Sequence, residues 1–88
     1  MQVYVSYFYD ENCTQHEFIG VFANETDVVK KSLEFVSKNP HLFKSPIPLE
    51  CMLIDNTNDF YQMIKKYANS SYGGGPGWYF RIISTSIL

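Results

Sequence analysis

Apolar and polar positions alternate through Val3-Tyr4-Val5-Ser6-Tyr7-Phe8, with Val3, Val5 and Tyr7 on one side of a pleat and Tyr4, Ser6 and Phe8 on the other. A period of two in a run of β-branched and aromatic residues predicts a strand over 2–9. The polar run from Asp10 to Gln15 carries turn formers, after which His16 to Ala23 is strand-like again, so an antiparallel hairpin is the economical reading. The period then changes. Asn24 sits as an N-cap, with Glu25 and Asp27 in the first turn, where the helix dipole favours acids. Val29, Leu33 and Val36 share one helical face, widened by Val28 and Phe35, while Lys30, Lys31, Glu34 and Lys38 fall opposite. Asn39-Pro40 supplies a stop, and the spacing predicts a helix over 25–38.

Residues 41–48 contain two prolines and predict a connection, followed by Glu50-Cys51-Met52-Leu53-Ile54, a short apolar run suited to a buried strand. Asp55 to Asp59 is dense in capping residues, and Phe60, Ile64, Tyr67 and Ala68 recur at helical spacing, predicting a second helix over 58–69. Trp78 to Ser84, extending as far as Ile87, reads as the last strand. The order is ββαβαβ within one domain spanning 1–88. Two helical crossovers and one hairpin predict an α+β fold with a mixed four-stranded sheet and both helices on one face. In that arrangement Val3, Val5, Ile19, Val21, Leu53, Phe80 and Ile82 face the helices, and Tyr4, Phe8, Phe18, Phe22, Tyr79 and Arg81 occupy the uncovered pleat.

Composition sharpens this picture at one point. Aromatic residues make up 17% of the chain, with seven Tyr and seven Phe, which is more ring surface than a core of this size requires. A soluble monomer seldom leaves a large contiguous apolar patch open to water, so a two-sided sheet predicts a homodimer or a protein-binding surface, the alternative being that the loops 40–48 and 70–77 fold over it as core. Four of the five glycines lie between Tyr72 and Trp78, forming a turn-prone loop flanked by large rings. Seven basic against nine acidic residues give a formal charge of −2, which provides no broad positive field for a phosphate backbone and argues against nucleic acid as the main partner. No stretch approaches the ~20 apolar residues of a membrane span, and the N-terminus lacks a basic lead, so a cytoplasmic location without membrane contact is expected.

Candidate chemistry is sparse. Cys13 and His16 are close in sequence, but both fall at the hairpin tip, where a thiol is solvated and poorly held; Cys51 reads as core packing. Asp10, Glu11, Cys13 and His16 offer donor atoms without the second ligand pair of structural zinc. Glu50, Asp55 and Asp59 are carboxylates, yet Asp55 and Asp59 bracket a helix start and are explained by capping. Gly73, Gly74, Gly75 and Gly77 suggest an anion nest, but a phosphate loop leaves a strand and opens a helix, and here the order is reversed. Rings on a sheet also suggest an RNA platform, although the lysines lie on the helices instead of beside the rings. No enzyme, cofactor or metal is expected.

Val3-Tyr4-Val5 with Tyr7 and Tyr9, an acidic loop, and then Glu17-Phe18-Ile19-Gly20-Val21-Phe22 with Asn24-Glu25 opening a helix resembles the start of a group of small bacterial and phage domains of unassigned function. The resemblance covers the first 36 residues or so and implies a strand-strand-helix opening and no catalytic residue. The Tyr-, Asn- and Lys-rich texture is similar to that of phage early proteins that bind and disable host factors. From these readings the expected function is a non-enzymatic, phage-encoded interaction protein that inhibits a host protein in the host cytoplasm. Its expected anchors are Tyr72, Trp78, Tyr79 and Arg81, with Tyr4 and Phe18 on the same surface. The alternative is a small-ligand or nucleotide-signal binder that uses Gly73, Gly74, Gly75 and Gly77 at a dimer interface.

Overall fold

Strand β1 (Gln2–Asp10) is the middle of a three-stranded antiparallel sheet, with β2 (His16–Phe22) on one side and β3 (Trp78–Ser86) on the other. The structure is a computed structural model that describes residues 1–10, 16–44, 46–69 and 78–87. The order β2-β1-β3 corrects the expected mixed four-stranded sheet. Of Glu50 to Ile54, expected to supply the extra strand, Glu50 to Leu53 belong instead to a 3-10 helix over Leu49–Leu53, and Ile54 caps its end. Its backbone groups close on themselves: the Cys51 N–H donates to the Pro48 carbonyl at 3.0 Å, and the Ile54 N–H to the Cys51 carbonyl at 3.2 Å. An apolar pentapeptide is ambiguous by pattern alone, and local bonds seeded by Pro48 compete directly with a ladder. Without a strand between the helices no parallel crossover is required, and β3 runs antiparallel beside β1.

Both helices form close to where their periodicity places them, as α1 (Glu25–Ser37) and α2 (Thr57–Tyr67). They start by the same device. Asn24 Oδ1 accepts the Asp27 N–H at 2.8 Å and Asn56 Oδ1 accepts the Asp59 N–H at 2.8 Å, while each asparagine Nδ2 donates back to that aspartate's carboxylate. The Glu25 carboxylate also accepts the Thr57 N–H at 3.2 Å, tying the start of α1 to the start of α2. Both helices pack on one face of the sheet, where Leu33, Val36, Phe60 and Met63 meet Phe8, Trp78 and Phe80. The Tyr61 hydroxyl of α2 accepts the Ile82 N–H at 2.8 Å and so covers part of the outer edge of β3.

The pleat of β1 is reversed relative to expectation: Tyr4, Ser6 and Phe8 face the helices, and Val3, Val5, Tyr7 and Tyr9 face away. Phe8 is 2% exposed and joins the core cluster, which none of the four outward residues enters. Ser6 explains how the reversal is tolerated. The Ser32 hydroxyl of α1 donates to the Val28 carbonyl at 2.8 Å, so the proton in the 2.7 Å contact between the Ser6 and Ser32 hydroxyls comes from Ser6. A small, satisfied residue lets α1 lie close to the strand, and Phe8 fills the space beside it with a ring. Ser32→Ala would strand the buried Ser6 hydroxyl and is expected to cost ~1–3 kcal/mol. Adding Ser6→Ala should return part of that loss, and urea unfolding of the two variants checks the order.

Candidate functional site: the open face of the sheet

Residues directly opposite on antiparallel strands share a face, so the register places the outward pleat residue by residue. Tyr9 lies opposite His16 and Tyr79, Tyr7 opposite Phe18 and Arg81, and Val5 opposite Val21 and Ile83. The rings form a row across three strands: Tyr9 stacks on Tyr79 at 5.2 Å, on His16 at 6.5 Å and on Tyr7 at 5.9 Å between centroids. Beside them Phe18 is 66% exposed, Val21 54% and Tyr79 45%. No described helix lies across this surface, because the core cluster and both helices occupy the opposite pleat. Arg81 is exposed and has no acidic partner among the described residues.

The expected anchors divide between the two faces. Phe18, Tyr79 and Arg81 lie on the open face, as expected. Trp78 does not: it is 6% exposed and packs its ring against Phe8 at 5.7 Å, Phe43 at 5.6 Å and Phe80 at 6.0 Å. Consecutive residues of one strand point to opposite faces, so Trp78 and Tyr79 cannot both anchor the same partner surface. Tyr4, also expected outside, is half-buried against the core for the same reason of parity with Phe8. Tyr72, Gly73, Gly74, Gly75 and Gly77 lie outside the described residues. Tyr7, Tyr9, His16, Val21 and Ile83 were missed as surface residues. Their signal was present in the alternation, since Tyr7 and Tyr9 must oppose whichever face holds Phe8.

The described residues carry little that favours bond-making chemistry. Burial, with the Glu50 carboxylate adding to it, pushes the Cys51 thiol above its ordinary range and keeps it protonated. Glu34 is held below the usual carboxylate range by hydrogen bonds from Lys31 and Lys38, an exposed ion-pair network on α1. Among the described residues no three His, Cys, Asp or Glu side chains come together in a way that could hold a metal ion. No helix among them is long and apolar enough to cross a membrane. No family model, curated protein or solved structure matches this chain. The surface itself is therefore the guide to function: a three-stranded platform that presents stacked tyrosines, exposed aliphatics and one guanidinium.

Proposed function

We propose that this chain is a non-enzymatic protein-interaction module that binds a partner protein through the open face of its sheet. The observation that carries the reading is the row His16, Tyr9 and Tyr79, with Phe18 and Val21 beside it, on the side away from the helices, where no described helix covers it. Tyrosine and arginine offer large contact area with a polar tip and dominate binding energy at interfaces, and a contiguous apolar patch open to water is costly without a partner. The strands beneath hold these side chains in place before binding, which lowers the ordering cost of association. The narrower reading, a phage-encoded inhibitor of a host protein, rests on the sequence resemblance alone.

Tyr79→Ala and Phe18→Ala are expected to weaken partner binding by ~2 kcal/mol together or more, about thirtyfold, while moving the unfolding free energy little. The measurement is quantitative recovery of co-purifying proteins from the native source by the parent chain, by this double variant and by a control altered at exposed Leu53 on the opposite side. A protein retained by the parent and the control and lost by the double variant supports the reading. Equal recovery by all three would sink it. Sedimentation of the purified chain separates the case in which a second copy covers the face.

A further inference from the structure

We propose that a second site, a groove among the helical elements, binds an amphiphile made of an aliphatic chain and a single carboxylate, of the size of a medium-chain fatty acid. The groove has a volume of about 640 Å³ and takes none of its lining from the sheet. That volume lies within the range of small-molecule sites, which run from roughly 300 to 1,000 Å³. Its walls are Val36 of α1, Phe43 and Ile47 of the following connection, and Leu49 and Met52 of the 3-10 helix. These are aliphatic or aromatic surfaces suited to an alkyl chain. Leu49 is 85% exposed, an orientation that costs apolar hydration unless something lies along it.

The polar groups of the groove select the head group. Among the described residues Lys44 is the only charged one that lines it, and no acid does. The neighbouring cation Lys38 is engaged by Glu34 at 3.3 Å, whereas the Lys44 ammonium has no partner among the described residues. Ser37 also lines the groove, but its hydroxyl proton is used on the Glu34 carbonyl at 2.8 Å. Pro40 and Pro46 contribute no N–H to the wall, and the Lys44 N–H is bonded to the Tyr67 carbonyl at 3.0 Å. One unpaired side-chain cation at the edge of an apolar trough complements one anionic acceptor on an apolar tail. No described carboxylate lines the groove to pair with a cationic ligand.

The test titrates the full chain with decanoate, decanol and decylammonium below their aggregation thresholds, followed by isothermal calorimetry and amide chemical shifts. Decanoate should bind at least tenfold more tightly than decylammonium, with shifts at Val36, Phe43 and Met52. Lys44→Gln should weaken decanoate about tenfold and leave decanol unchanged. Leu49→Asp, at an exposed position, should weaken decanoate further than decanol because it adds a like charge. The proposal is overturned if decylammonium matches decanoate, if Lys44→Gln leaves decanoate unaffected, if nothing saturates, or if the shifts fall on Val5, Phe18 and Val21 of the open face.

Discussion

Trp78→Ala is expected to destabilise the fold by ~3–5 kcal/mol, the range for removing a large ring from a packed interior. The indole is 6% exposed and touches Phe8, Phe43 and Phe80, so truncation leaves a cavity where strand, connection and core meet. Against a total stability of ~5–15 kcal/mol for a domain of this size, the loss should move the urea midpoint far and leave part of the population unfolded. The indole N–H finds no acceptor among the described residues, so a phenyl ring at this position gives up no bond to them. Trp78→Phe should therefore retain most of the stability that Trp78→Ala loses. An alanine variant as stable as the parent, with a specific loss of partner binding, would show that the ring faces outward and that the opposite pleat carries the core.

Phe8→Ala should cost a similar ~3–5 kcal/mol, and the informative comparison is with its neighbour. Phe8 contacts Phe35, Trp78 and Phe80 and is one of the largest fully buried side chains. Tyr9, one residue on, stacks on other rings only on the open face. Tyr9→Ala should cost about 1 kcal/mol, in line with the loss of cross-strand pairing alone. The ratio between the two, read from chemical unfolding, measures which pleat is the inner one. Equal losses would mean that the tyrosine face is itself sealed.

These two experiments bear on the element where sequence and structure diverge most. Val3, Val5 and Tyr7 match the common expectation for an inward strand face, and Ser6 on the other pleat argues against burial there. In the fold the serine is buried because Ser32 of α1 accepts its proton, a pairing between residues 26 apart in the chain that no local pattern displays. Val3 is only 7% exposed even though it lies on the pleat opposite Phe8, where it pairs with Thr85 of β3. Hydrophobicity of a position in a middle strand therefore does not reveal which side the helices take. Phe18, Tyr79 and Arg81 were legible as surface residues, whereas the alternation places Tyr7 and Tyr9 outside only once Phe8 is known to face the helices.

What the order of residues settled by itself is local: the two helices, whose capping residues and apolar stripes lie within short stretches, and the strand character of 2–9, 16–23 and 78–84. Those features depend on periodicity, capping and backbone propensity, which act between near neighbours. Tertiary contact decided the rest. It turned Phe8 and Trp78 inward, left the tyrosine row outward, and closed the 49–53 segment into a 3-10 helix instead of a fourth strand. Each of those outcomes compares the burial of one surface with another far away in the chain, and an isolated stretch of sequence carries only one side of that comparison.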